Sequence, residues 1–546
     1  MSSKAHLNWY TWHMQKYIWT IIIIGLIVFS PTVFNGFVMD DQGLILNNAN
    51  VHSIGNLFNF FRGSIFDYGG SLGGVYYRPM MSTSFSFIYT FFGSSAFFYH
   101  LFQLFLHITN ALLFFFLLKK FVKEKVSLFL TLIFLTHPIQ VESVVYIAAL
   151  QEILFFSFGV MYLLLLERKK FAPIFILLSL LSKETGILFA PLGILYSYFY
   201  RRKNLLYDGV GVVIAVGIAF FMRFVVAGIG FEKTSEFVMM RTPFLERMIN
   251  VPSMILYYLQ TLIFPYRLVS VQSWLITKIT VNDFFLPLLI DLIFFGTLFL
   301  SSWMYRKKWQ PLLFFWVWFM LGILLHIQIV PLDLTVADRW FYFPLAGLLG
   351  IVGVAINQMN FPKQTLYIAI TIIALLSVRS FVRVFDWHDT RTLAMHDLRF
   401  QKNNYRLLSA LGGVYLDEKN YEKARVVLEK SVALYPHWGT SEYNLGVAYH
   451  MSHQTQKAKK YYIEALRDAP EYILGYENMA ILLYYNNELD EAITFSKKAL
   501  KKFPNSLKLW QVVGYSSQKL GHTKDATEAA QMIYLLTPKP QGMPLQ

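Results

Sequence analysis

The sequence predicts an all-α protein in two parts, a polytopic membrane domain of about eleven spans followed by a helical solenoid. Three observations carry that prediction. The chain of 546 residues is 55% hydrophobic and 18% aromatic, which is a membrane-protein composition. Its basic residues fall in short clusters between apolar stretches. In the last third, Pro436, Pro470, Pro504 and Pro538 recur every 34 residues.

The first apolar stretch runs from Tyr17 to Val38, enough for a bilayer crossing, which takes about 20 residues. Its apolar core exceeds the roughly 7–15 residues of a signal peptide, and no small-residue cleavage site follows, so it is expected to remain as a span. Further spans are expected over 97–118, 126–136, 153–166, 171–181, 187–200, 209–227, 284–303, 311–327, 341–356 and 365–382. The apolar piece 250–264 is short and is expected to be re-entrant or interfacial. Within the first long loop, 57–61 and 84–89 read as amphipathic helices along the membrane surface.

Topology follows from charge. The clusters Lys119-Lys120 with Lys123 and Lys125, Arg168-Lys169-Lys170, Arg201-Arg202-Lys203 and Arg306-Lys307-Lys308 all fall on the N-terminal side of this span set. Basic loops mark the cytoplasmic face. An odd number of spans then puts the C-terminal region outside the cytoplasm, whereas a twelve-span reading misplaces the 306–308 cluster.

The net charge of +15 does not point to nucleic acid. From Arg383 onward there are 21 Lys+Arg against 17 Asp+Glu, so most of the excess lies in the short membrane loops. The absence of cysteine excludes disulfides, thiolate metal sites and cysteine nucleophiles. No Gly-x-x-x-x-Gly-Lys-[Ser/Thr] stretch is present, so a soluble nucleotide is not indicated as energy source.

A 34-residue period is that of tetratricopeptide repeats. In register with the prolines stand Gly412, Gly446, Ala480 and Gly514, and also Ala424, Ala458, Ala492 and Ala526. Small residues are needed where the two helices of a repeat cross, and each proline ends the second helix. Tyr415 and Tyr449 hold the aromatic position of the first two repeats; Leu483 and Ser517 replace it later. The expected organisation is a membrane domain over 1–382, a linker over 383–402, four repeats over 403–538 and a tail over 539–546. The concave face of the repeats would hold a peptide or another partner.

The outer loops collect Asp40, Asp41, Arg78, His137, Glu142, Lys183, Glu184, Arg241 and Arg339. Ionisable groups beside short spans are expensive and tend to be functional. A carboxylate at a membrane face can act as general base on an acceptor hydroxyl, while Lys and Arg stabilise a departing phosphate. Arg offers bidentate phosphate recognition and Lys a point charge, which suits Arg339 and Lys183. A sugar on a polyprenyl phosphate is the substrate this arrangement implies; a proton-coupled transporter, a lipid-headgroup surface and a membrane-anchored repeat scaffold are the alternatives. A hard-cation or mixed site of Asp40, Asp41, His137 and Glu142 is not favoured, since no compact ligand motif is present.

An ordered series of motifs carries a resemblance. Asp40-Asp41 with Leu46-Asn47-Asn48, Tyr77-Arg78-Pro79-Met80, His100-Leu101, His107 and Asn110, His137-Pro138-Ile139 with Val141-Glu142, Leu181-Ser182-Lys183-Glu184 and Ala337-Asp338-Arg339-Trp340-Phe341-Tyr342-Phe343-Pro344 together resemble the transmembrane and tetratricopeptide-repeat-containing O-mannosyltransferases and their bacterial relatives. The resemblance covers nearly the whole chain. It implies a GT-C fold, a sugar (mannose-like hexose favoured) taken from a dolichyl- or undecaprenyl-type phosphate, transfer with inversion, and no cofactor or metal. The acceptor would be a protein hydroxyl, or alternatively a surface polysaccharide or lipid. By that analogy Asp40 is the base, with Asp41 orienting the acceptor or sharing the role. His137 and Glu142 line the site; Lys183 and Arg339 contact the donor phosphate, supported by Arg78 and Tyr342. The short N-terminus and loops favour a bacterial inner membrane with the repeats in the periplasm or outside.

Overall fold

The computed structural model describes residues 3–66, 76–167, 171–230, 237–304, 306–359, 362 and 364–537. The Arg168-Lys169-Lys170 cluster, Pro538 and the tail lie outside the described residues. Helices dominate, and the one feature of sheet type among the described residues is an isolated antiparallel bridge between Gln272 and Val336. The chain divides into two units, the second beginning at Asn403.

In the first unit, eight helices are long and apolar enough to cross a bilayer: Met14–Phe34, Ala96–Leu118, Ile147–Leu165, Arg202–Val226, Val281–Met304, Arg306–His326, Asp338–Ile356 and Thr365–Asp386. A ninth comes from Glu124–Thr136 and Pro138–Val145, which meet at a 51° bend. The break follows from Pro138, which cannot continue the preceding helix. The expected count of eleven is therefore not reached by full-length helices. The two remaining expected spans are the shorter helices Ala172–Ser182 and Phe189–Tyr200. The piece expected over 250–264 is the end of a longer helix, Phe244–Ile263, with Pro252 inside it.

The first and last long helices end together. Asn35 Nδ2 donates to Val384 O at 3.0 Å, and Gly36 N donates to His388 O at 2.9 Å. If both cross, they cross in the same direction, and the total number of crossings is odd. Nine or eleven satisfies that condition; eight does not.

The stretch 383–402, expected as a linker, folds with the first unit. Arg383 and Asp397 are buried and paired at 2.9 Å, and Asp397 also accepts from Ser270 N and Oγ at 2.7 Å. The helix Thr390–Phe400 starts cleanly because Asp389 caps it, accepting from Thr392 N at 2.7 Å. A buried arginine demands such a carboxylate, and that demand fixes the segment in place.

The second unit is four helix pairs: Tyr405–Asp417 with Tyr421–Leu434, Gly439–Met451 with Thr455–Asp468, Ile473–Tyr485 with Leu489–Leu500, and Leu507–Leu520 with Thr523–Leu536. Asn404, Asn420 and Ser506 cap helix starts through their side chains. The small-residue register has a direct cause. A Cβ on Gly412 would lie 2.5 Å from Leu428, and one on Gly446 would lie 2.6 Å from Tyr462. Ala424, Ala458 and Ala492 are fully buried in a continuous core with Leu445, Leu483 and Leu509.

Candidate active site

The two aspartates part company. Asp40 is exposed, whereas Asp41 is only 1% exposed. Asp41 Oδ2 accepts from Val38 N at 2.9 Å and its Oδ1 accepts from Ala148 N at 2.7 Å. Burial pushes its carboxyl well above the usual carboxylate range, against the pull of those two amides. Asp41 thus ties the loop to the turn before the helix Leu150–Leu165, and in doing so leaves Asp40 facing outward beside it. The Tyr146 phenol lies within electrostatic reach of the Asp40 carboxylate; burial first, then the charges of Asp40 and Asp41, push that phenol up. The Tyr146 ring lies against Trp387, centroids 5.5 Å apart.

The cations gather across from this loop, each against a carboxylate. Arg339 donates from its guanidinium to Glu142 Oε1 and from its backbone N to Glu142 Oε2 at 3.1 Å. Lys183 Nζ donates to Glu152 Oε1 at 2.5 Å, with both groups buried. Arg223 pairs with Glu184 at 2.7 Å, and Arg78 approaches the same carboxylate at 3.9 Å. Burial raises the Glu184 carboxyl, but Arg78 and Arg223 win and hold it below its usual value. Lys183 lies within electrostatic reach of both Arg78 and Arg339, and Arg339 also reaches Tyr146 and Glu152.

The Arg78 guanidinium carbon lies 4.4 Å above the Tyr76 ring, and its buried Nε has no hydrogen-bond partner among the described residues. A buried guanidinium donor left open is costly, so this is where an added acceptor gains most.

Two expected site residues sit elsewhere. Tyr342 is fully buried between helices, with Asn110 Nδ2 donating to its hydroxyl at 3.0 Å and His107 Nδ1 at 2.9 Å from it. His137 caps the turn after the helix break: its Nδ1 accepts from Ile139 N at 3.2 Å, and its Nε2 donates to Leu262 O at 2.9 Å. Both its nitrogens are committed to backbone, so it anchors the bend rather than facing the aspartates. Glu142 belongs to Arg339. Among the described residues, no three His, Asp or Glu side chains are grouped to hold a metal ion.

Sequence reasoning missed Tyr146, Trp387, Glu152 and Thr390. Glu152 was legible only as a rare acid inside an apolar span, the kind of residue that requires a partner. Trp387 and Thr390 were hidden by reading 383–402 as a linker.

Comparison with known proteins gives relatives along most of the chain. It is 23% identical over 93% of its length to protein O-mannosyl-transferase TMTC3 of Homo sapiens. It is 26% identical over 74% of its length to protein O-mannosyl-transferase F38B6.6 of Caenorhabditis elegans, and 22% identical over 94% to the Mus musculus TMTC3. The chain spans only 61–63% of the length of these relatives. Tetratricopeptide repeat models match residues 405–437 and 476–506. Among solved structures, a crystal structure of MamA aligns with 29% of this chain and 92% of its own, at 22% identity and a TM-score of 0.26. The chain is thus a multi-pass helical protein with a tetratricopeptide-repeat unit, and its relatives are protein O-mannosyl-transferases.

Proposed function

We propose that the protein is a glycosyltransferase that moves a hexose, mannose-like, from a polyprenyl-phosphate carrier to a hydroxyl on protein, at the non-cytoplasmic face of a membrane. The observation that carries this reading is the pairing of an exposed Asp40 with a bank of buried cations at the same end of the helical bundle. The names of the relatives support transfer to protein, and the repeat unit supports a protein acceptor.

The geometry supports a division of labour. Asp40 takes the proton from the acceptor hydroxyl as its oxygen attacks the anomeric carbon. The bond from that carbon to the phosphate oxygen breaks, and the electron pair leaves on the lipid phosphate. Arg78 offers the unfilled donor to that phosphate, while Lys183 and Arg339, set by Glu152 and Glu142, supply fixed positive charge. Attack opposite the leaving group inverts the anomeric centre. Asp41 does not take the proton; its two amide bonds hold the loop that presents Asp40. The basic clusters at the other end of the bundle support assigning the site to the non-cytoplasmic side.

The test is transfer from a labelled polyprenyl-phosphate mannose to an acceptor protein or peptide by the purified full chain. Wild-type transfer with Asp40→Asn inactive supports the reading. Transfer by Asp40→Asn at the wild-type rate removes Asp40 as base.

A further inference from the structure

The segment between the last long helix and the repeats builds one wall around Asp40. Two bonds cross to it from the loop, Gly36 N to His388 O at 2.9 Å and Met39 N to Thr390 Oγ1 at 3.0 Å, and a third, Asn35 Nδ2 to Val384 O, reaches the end of that helix. Trp387 supports the Tyr146 ring, which lies within electrostatic reach of Asp40.

Met39, immediately before Asp40, has φ of +49°, the left-handed region that side-chain-bearing residues avoid. Such a conformation persists only where its surroundings over-determine it. On one side the restraint is Asp41, held by Val38 N and Ala148 N. On the other it is the Thr390 hydroxyl. That hydroxyl is not used to start its own helix, because Asp389 already caps it by accepting from Thr392 N. It is therefore available as an acceptor for the Met39 amide.

We propose that Thr390 is a positioning residue for the reaction: by holding the Met39 amide it fixes the left-handed turn that aims the Asp40 carboxylate at the acceptor. This rests on the reading of Asp40 as general base. The hydroxyl touches neither substrate, so its loss alters the rate of the chemical step and leaves the binding of both substrates intact.

The test uses the full chain in detergent with three variants: Thr390→Val, which keeps the shape and removes the acceptor, Thr390→Ser, which restores it, and Met39→Gly, which relieves the strained φ without touching Thr390. Thr390→Val should lower kcat at least about tenfold with KM for donor and acceptor unchanged, and Thr390→Ser should recover most of that loss. Met39→Gly, in which the left-handed φ costs no strain and both braces remain, should keep kcat close to the wild-type value. Hydrogen exchange of the peptide holding Met39 and Asp40 should quicken in Thr390→Val and return in Thr390→Ser. Unchanged kcat in Thr390→Val, or a serine variant as slow as the valine one, overturns the proposal. Exchange separates the two levels: if wild type transfers no sugar yet exchange responds as stated, the brace stands and the base assignment falls. If exchange does not respond, the brace itself is wrong.

Discussion

The two ends of the helical bundle handle charge in opposite ways. At one end Lys119 pairs with Glu124 at 2.8 Å and Lys120 with Glu167 at 3.1 Å, and the carboxylates are 32% and 45% exposed. At the other end Lys183 pairs with Glu152 and Arg339 with Glu142, and both carboxylates are 2% exposed. Exposed pairs at a membrane face contribute about 0–1 kcal/mol and serve topology. Buried pairs cost several kcal/mol in desolvation and are weak stabilisers. Two such pairs keep fixed charge in a low-dielectric site, the arrangement that the proposed departure of a phosphate would use.

This contrast can be broken in four ways. Arg339→Met leaves Glu142 buried and unpaired, and should destabilise the first unit by about 3–5 kcal/mol and abolish transfer, read by denaturant unfolding and by the labelled-sugar assay. Adding Glu142→Leu should return most of the stability but none of the transfer; recovered transfer would reduce the pair to a structural role. Lys183→Met with Glu152→Leu should unfold at or near the wild-type midpoint, because apolar replacement of a buried pair is close to neutral. Its KM for the donor should rise about 10–150-fold, the equivalent of roughly 1.5–3 kcal/mol for a lost charge-assisted contact. Asp41→Asn, which weakens the acceptor for two amides, should cost about 1–3 kcal/mol and slow transfer through loop disorder, seen as faster hydrogen exchange over 38–41. Lys120→Ala, at the far end, should shift stability by less than about 1 kcal/mol and leave transfer untouched. A large effect there would erase the distinction between the ends.

Acidity offers a further check on the buried end. Glu184 is held below its unfolded value by Arg78 and Arg223. A depressed carboxylate contributes stability above its unfolded pKa and loses it as pH falls through the folded value. That contribution should therefore fade only below about pH 4, and Glu184→Gln should flatten the acid limb of the unfolding midpoint against pH.

Much of this was legible in the chain. The repeat unit could be read in full because its signal is a strict period, and the clashes at Gly412 and Gly446 show why that period cannot drift. Asp40, Arg78, Lys183 and Arg339 could be read as a set because charged residues beside apolar stretches are conspicuous. The roles of Tyr342 and His137 could not, since a polar side chain at a helix end looks alike whether it faces a cavity or caps a neighbour. The partners Glu152 and Thr390 depend on contacts across 31 and 351 residues of sequence, which no local pattern records. The span count suffered from the same limit: hydropathy finds length, whereas the bend at Pro138 and the helix Ala172–Ser182 are matters of packing.

The meeting of Asn35 and Gly36 with Val384 and His388 has a consequence for how the protein is made. The loop bearing Asp40 is synthesised well before the residues that complete it, since three of its bonds need residues about 350 positions later. At about 5–20 residues per second, that is a wait of roughly 20–70 s. During this interval the strained turn at Met39 lacks its Thr390 brace. On the proposed reading the aspartate is aimed only once the last long helix has closed on the first, so that competence reports the assembly of the helices between them.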